Sequence, residues 1–264
     1  MSAPAGFPAA EEIRVGISSC LLGQKVRYDG GHKLDHFATD LLARFVTFVP
    51  VCPEVEVGMG IPREAIRLER RAGAVLLVAP KSGTDHTEAM RAFSEARVRE
   101  LEALDLSGYI LKKDSPSCGM ERVRVWGGKV ATRDGRGAFA QVLMERLPLL
   151  PVEEEGRLRD LPLRENFVER VFAYRRVKDF FAARWKLGDL VCFHAAEKLL
   201  VLAHEPAACT RLGRLVAQAK ALPRAEVARR YAEGHAAALA KLATRGSGWS
   251  TCPRSATSLR TRRS

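Results

Sequence analysis

Three of the six cysteines in this 264-residue chain share an unusual setting. Cys20 lies in SSCLLG, Cys52 in PVCPE and Cys118 in SPSCG, each after a short apolar run and each among Gly, Pro and Ser. Such surroundings suit a backbone turned sharply around a cofactor. A lone cysteine is usually a small buried hydrophobe, the expected role of Cys192 and Cys209. Cys252, near the C-terminus, is expected to have none. Disulfides are disfavoured in a reducing cytosol. A single catalytic thiolate with a histidine base would leave two of the three unexplained. A Cys₃His zinc site would take His32 or His36 as fourth ligand, although the close Cys-x₂₋₄-Cys pair of structural zinc sites is absent. Three widely spaced thiolates fit an iron–sulfur cluster with one iron left open at least as well.

The elements around these cysteines predict how they meet. IRVGISS (13–19), FVTFVPV (45–51), AVLLVAP (74–80) and SGYILKK (107–113) read as buried parallel strands. Helical spacing over 35–45 and 84–104, a Gly-Gly hairpin over 123–135 and a helix over 137–146 complete the pattern. Strands alternating with helices predict an α/β unit: an open, mostly parallel, Rossmann-like sheet with flanking helices. The crevice beyond the carboxyl ends of such strands is where ligands bind, and Cys20, Cys52 and Cys118 follow three of those ends. Residues 151–163 read as a linker, and helices are expected over 165–185, 187–203, 207–221 and 224–242, an all-α domain. The expected division is a disordered N-terminus (1–11), the α/β domain (12–150), the linker (151–163), the helical domain (164–244) and an irregular basic tail (245–264).

No apolar run approaches the ~20 residues that span a bilayer, and the N-terminus lacks a secretory signal, so a cytoplasmic protein is expected. Residues 1–160 hold 23 basic and 23 acidic residues, whereas 161–264 hold 20 and 8, so the net charge of +12 belongs entirely to the second part. That surplus is either a solvated helical surface or a face for an anionic partner such as RNA. SCLLG lacks the G-x-S-x-G form of a nucleophile elbow, and VEVGMGIP lacks a G-x-G-x-x-G dinucleotide fingerprint.

VGISSCLLGQKVRYDGGHK, VCPEVEVGMGIPRE and GYILKKDSPSCGMERV resemble the signature blocks of the thiouracil desulfidase family, over about residues 12–160. The specific combination is SxCLLG…YDG, then CPE, then KxxSPSCG. The resemblance implies a [4Fe-4S] cluster held by Cys20, Cys52 and Cys118 with one open iron. It also implies non-redox hydrolysis of a C–S bond in a thiolated pyrimidine, thiouracil or a related nucleoside. LRENFVERVFAYRRVKDF and LVCFHAAEKLLVLAHEPAACTRLGRLVA resemble the YbgA-like helical domain often fused behind it. In that family the helical pattern usually continues where an Arg/Ser tail follows here, so the resemblance implies a second domain truncated or frame-shifted after about Arg245.

Within this frame Glu54, two residues after Cys52, is the expected general base, its pKa raised by an apolar crevice. Ser115 and Ser117 flank Pro116 and are expected to hold the substrate's polar edge or stabilise charge in the adduct. Their alternative role is to bond their own backbone in a turn. Ser19 is a weaker supporting candidate. Tyr28, Asp29 and Gly30 form a turn that closes the pocket, with Asp29 more structural than functional. Lys112 and Lys113 are expected to offset cluster charge, with alternation sending only one of them, Lys112, inward. The rival from another class is a non-catalytic zinc- or cluster-binding module whose basic helical domain docks RNA.

Overall fold

The computed structural model of the protein describes residues 12–243. The N-terminal segment, the basic tail and Cys252 lie outside the described residues. Strand β1 (Arg14–Ser18) pairs in parallel with β2 (Thr47–Val51) on one side and β5 (Gly108–Leu111) on the other, and β5 pairs in parallel with β8 (Val152–Glu154). The strand order is β2–β1–β5–β8. The chain goes out from β1 to β2 and then returns across it to β5, which makes the β1/β5 boundary the switch point of the sheet.

Both faces of this sheet are covered, as all-apolar strands require. On one face Tyr109, Leu111 and Val152 pack with Val98 and Leu101 of α2 (Thr87–Ala103) and with Phe139, Ala140 and Leu143 of α3 (Ala138–Arg146). On the other, Val15, Ile17 and Ile110 meet Ala38, Leu42, Phe167 and Val171. Fully burying each such side chain contributes about 1.5–3 kcal/mol. The helix expected over 35–45 is irregular, a wider π-helical turn at Phe37–Leu41 followed by a tighter 3₁₀ turn at Leu42–Arg44.

Two expectations are corrected. AVLLVAP is not a strand of the parallel sheet. It forms β4 (Ala74–Val78), antiparallel to β3 (Arg67–Arg71), in a second sheet of order β4–β3–β6–β7 with the expected hairpin β6 (Val123–Gly127) and β7 (Val130–Gly135). The cause is the Ala72–Gly73 link: both residues have positive φ (49° and 85°), and a two-residue turn of that kind folds the chain back into a hairpin. The 151–163 linker is the second correction, because residues 152–154 are the buried edge strand β8. Beyond it Asp160 caps α4 (Leu161–Ala182) by accepting from the Leu163 amide at 3.1 Å, with Pro162 in the first turn. Phe167 and Val171 of α4 lie in the core of the α/β unit, so this helix belongs to both halves.

The helical half follows as α5 (Leu187–His204), α6 (Pro206–Gln218) and α7 (Arg224–Leu239). Its core is aromatic: Phe180 stacks on Phe193 at 4.3 Å between ring centres, and Phe181 packs against Trp185 and Tyr231. Cys209 is buried as expected, but Cys192 is exposed. About half of the described cations in this half are held in ion pairs. Arg175 meets Asp105 and Asp179, Arg211 meets Glu205, and Arg229 meets Glu226 and Glu233. The RNA-docking expectation finds no support in this arrangement. No described helix is long and apolar enough to cross a membrane.

One buried carboxylate, Glu197, ties α4, α5 and α7 together through Arg176 at 2.6 Å and His235 at 3.2 Å. Burial pushes its pKa up, but hydrogen bonds from His235 and Arg176 outweigh burial and hold it at about 2, below the ordinary 4.5. A carboxylate with a depressed folded pKa adds stability that is complete above its unfolded pKa and lost as pH falls toward the folded one. Thermal melts should therefore show wild type losing more stability than Glu197→Gln between pH 5 and pH 3. Equal losses would remove Glu197 from the acid response.

Candidate active site

Three loops leave the same edge of the parallel sheet. β1 runs into a 3₁₀ turn, Ser19–Leu22, that carries Cys20. β2 ends at Cys52, the N-cap of the short helix α1 (Pro53–Glu56), and the Glu56 carboxylate accepts from the Cys52 amide at 2.8 Å. β5 leads into KKDSPSCG, where the Ser115 hydroxyl accepts from the amides of Ser117 (3.2 Å) and Cys118 (3.0 Å) and the Gly119 amide donates to the Ser115 carbonyl (2.8 Å). This turn sits on the start of α3, whose Ala138 and Phe139 amides donate to the carbonyls of Pro116 and Ser117 at 3.0 Å. Helix amides without an internal partner are satisfied in this way. The approach is too close for side chains: a Cβ on Gly137 would stand 2.5 Å from the Ser117 carbonyl oxygen, and one on Gly119 2.3 Å from Val123.

Cys20, Cys52 and Cys118, all free thiols, line one cavity of about 370 Å³. The convergence expected from the strand ends is thus present in the fold. Among the described residues, no three His, Cys, Asp or Glu side chains close on a point as a single metal ion would require. His32 and His36 are exposed and outside the cavity, and His36 pairs with Asp40 at 3.0 Å. Three soft sulfur donors spread around a cavity suit a polynuclear sulfur-loving group rather than a zinc ion. The wall adds Arg27, Lys33, Arg63, Lys112 and Lys113 against Glu54 and Asp114, a positive surplus that suits three thiolates on a cluster. Burial pushes the Cys20 thiol up to about 11 despite the pull of Lys112, and pushes Cys52 and Cys118 up as well. A thiol held neutral by burial is a poor free nucleophile.

The other candidates divide by their hydrogen bonds. The Glu54 carboxylate is held at both oxygens. Ser117, fully buried, donates to Oε1 at 3.0 Å, and Arg63 donates to Oε2 from Nε at 3.0 Å and from Nη2 at 2.5 Å. The wall beside Glu54 is therefore a guanidinium and not the apolar surface expected. Ser115, which also lines the cavity, spends its hydroxyl as acceptor on the turn. Ser19 is buried in the lining, while its neighbour Ser18 accepts from the Lys112 amide at 3.0 Å. Asp29 is exposed and accepts from the Gly31 amide at 3.0 Å, a turn-making bond. Tyr28 lines the cavity wall. Lys112 and Lys113 both line the cavity, against the expectation of one, because the strand ends at Leu111 and alternation ends with it.

Arg63, Ser18 and the acidic run of β8 escaped sequence reasoning. Glu154 accepts from the Met120 amide at 2.8 Å, and Glu155 takes Lys112 Nζ at 2.5 Å and the Lys113 amide at 2.6 Å. The supposed linker thus braces both ends of the Cys118 turn. Its signal was the run EEE, too acidic for a surface with nothing opposite it. For Arg63 the signal was a lone cation nine residues after Glu54, in the IPRE block.

A family model described as 2-thiouracil desulfurase matches residues 15–155, more than half of the chain. The chain belongs to the 2-thiouracil desulfurase family. The matched span ends just after β8, so all three cysteines and the acidic run fall inside the desulfurase match. A second model, described as a protein of unknown function (DUF1722), matches residues 198–256. The uncharacterized protein YbbK of Bacillus subtilis (strain 168) is 30% identical over 139 residues, which cover 49% of this chain and 88% of that protein. Among solved structures, a [4Fe-4S]-dependent thiouracil desulfidase, TudS, aligns with a TM-score of 0.46 and 30% identity, over 58% of this chain and 97% of that one.

Because Gly137 faces only backbone atoms of the Cys118 turn, no side chain can swing aside to admit a methyl group. Gly137→Ala should cost about 1–3 kcal/mol and lower the melting temperature by several degrees. An unchanged melt would show that the turn does not rest on α3 as described.

Proposed function

We propose that this protein is a [4Fe-4S]-dependent desulfidase that hydrolyses the C–S bond of a thiolated pyrimidine, thiouracil or a related nucleoside, to the oxo compound and sulfide. The observation that carries the reading is the convergence of Cys20, Cys52 and Cys118 on one cavity beside a doubly anchored glutamate, in a chain of the 2-thiouracil desulfurase family. Cys20, Cys52 and Cys118 would hold the cluster. When bound, it supplies an iron without a protein ligand, a Lewis acid suited to the soft sulfur of a thiocarbonyl.

The chain's own residues do the rest. Glu54 takes a proton from the water that attacks the ring carbon, and the proton leaves with the departing sulfur, so that C=S and H₂O become C=O and H₂S. Ser117 keeps the carboxylate turned toward the cavity through Oε1, which leaves that oxygen's second lone pair for the water. Ser115 and Ser18 act on the frame, the first by shaping the turn that presents Cys118 and the second by joining β1 to the strand before it. Lys112, kept in place by Glu155, and the cations around it offset the negative charge of thiolates and sulfide.

Protein purified without oxygen should be brown and contain iron and acid-labile sulfide in equal amounts, and replacing any one of the three cysteines by serine should strip the colour. A colourless protein with stoichiometric zinc would sink the cluster reading. Glu54→Gln, which keeps a hydrogen-bonding group for Ser117, should retain the colour yet lower sulfide release from thiouracil by about 10²–10⁴-fold. Turnover that survives this change would remove Glu54 as the base.

A further inference from the structure

We propose that Arg63 is a positioning residue that locks the Glu54 carboxylate in its working orientation by tying together two of the loops that build the cavity; this rests on the desulfidase reading above. Its side chain is 5% exposed, and its donors run to three different places. Nε and Nη2 reach Glu54 Oε2, Nη2 also reaches the Val26 carbonyl at 3.0 Å, and Nη1 reaches the Gly60 carbonyl at 3.0 Å. Its own amide donates to the Tyr28 carbonyl at 3.0 Å. Residues 26–28 lie in the loop after β1 that carries Cys20, while Glu54 and Gly60 lie in the segment after β2 that carries Cys52. With Ser117 from the third loop on the opposite carboxylate oxygen, Glu54 is gripped from both sides, and neither oxygen can rotate out of place without breaking a bond.

A planar guanidinium is the one side chain that can meet these acceptors at once, since its donors diverge in a fixed fork. The Val26 carbonyl makes the same point. Cys52 Sγ also approaches it, at 3.7 Å, but a ligating thiolate has no proton to give, so Arg63 is the donor that remains to it in the cluster-bound protein. Lysine in place of Arg63 supplies a charge to Glu54 but must abandon two of the carbonyls. Methionine fills the space and supplies neither charge nor donor.

The test compares wild type, Arg63→Lys, Arg63→Met, Glu54→Gln and the Arg63→Met/Glu54→Gln double variant, each loaded with cluster, on thiouracil. Misplacing a reacting group by about 1 Å costs on the order of 10²-fold, so Arg63→Met should lower kcat by about that factor with KM nearly unchanged and the cluster absorbance retained. Arg63→Lys should recover about tenfold of the loss, and in the Glu54→Gln background Arg63→Met should cost less than about twofold, as expected of residues that act as a unit. The proposal is overturned by additive losses in the double variant, by a KM effect with kcat kept, by lysine doing no better than methionine, or by loss of the cluster colour in Arg63→Lys. A wild-type protein that holds its cluster but turns over no thiolated pyrimidine fails the desulfidase reading instead. Melting temperatures then decide the clamp alone: a double variant no less stable than the worse single variant keeps it, and additive losses remove it.

Discussion

The site depends on one constraint, the parallel pairing of β1 with both β2 and β5. Parallel neighbours end on the same side, so the loops after them open into one space, whereas antiparallel neighbours would send alternate loops to opposite edges. The same constraint sets the spacing of the cysteines. A parallel connection needs a crossover of a dozen or more residues, and Cys20, Cys52 and Cys118 are separated by one crossover each. The second gap is the longer because it also contains the β3–β4 hairpin. The absence of a close cysteine pair, which argues against a zinc site, is thus a direct consequence of topology. Cys-x₂-Cys ligands can come from one turn; these three can meet only after the sheet has formed.

Sheet formation alone leaves the loops free to drift, and buried charge is what restrains them. Arg63, paired with Glu54, joins the first two loops through the Val26 and Tyr28 carbonyls, while Glu154 of β8 and Glu155 just after it hold the third through Met120, Lys112 and Lys113. Burial raises the pKa of Glu154, since only one backbone amide compensates it there. Charges placed in this way are worth less as stability than as geometry, because desolvating them offsets much of their attraction. Removing one partner is a different matter, for it strands the other in a poor solvent. The loops are therefore held by interactions that are costly to break one at a time.

How much of this was legible follows from range. Cys20, Cys52 and Cys118 could be placed because short apolar runs followed by Gly, Pro and Ser mark strand ends locally, and the helices of the second half declare themselves by spacing, although the first of them begins at Leu161 inside the supposed linker. What failed was whatever a residue's role owed to a distant partner. Residues 152–154 read as linker because the stretch around them is rich in proline and charge, until the Met120 amide, 34 residues earlier, is put against Glu154. AVLLVAP had the composition of a core strand and lacked only the information that its neighbour RLERR would turn back on it. The sequence put Ser115 slightly ahead of Ser117, yet Ser115 faces its own backbone and Ser117 a carboxylate 63 residues away.

Net charge illustrates the same limit at the scale of the whole chain. Residues 161–264 carry 20 basic residues against 8 acidic ones, and five of those arginines belong to the tail outside the described residues. Of the rest, Arg175, Arg176, Arg211, Arg229 and Arg230 each sit against a carboxylate. Pairs on a helix surface contribute only about 0.3–0.5 kcal/mol each, and each weakens the field of its own cation while leaving the net surplus in place. A field that attracts an anion needs cations gathered without counter-charge on one concave wall. The cavity lined by the three cysteines gathers five cations against two carboxylates, although Arg63 and Lys112 are themselves paired with Glu54 and Glu155. These five cations lie in the half of the sequence whose net charge is zero.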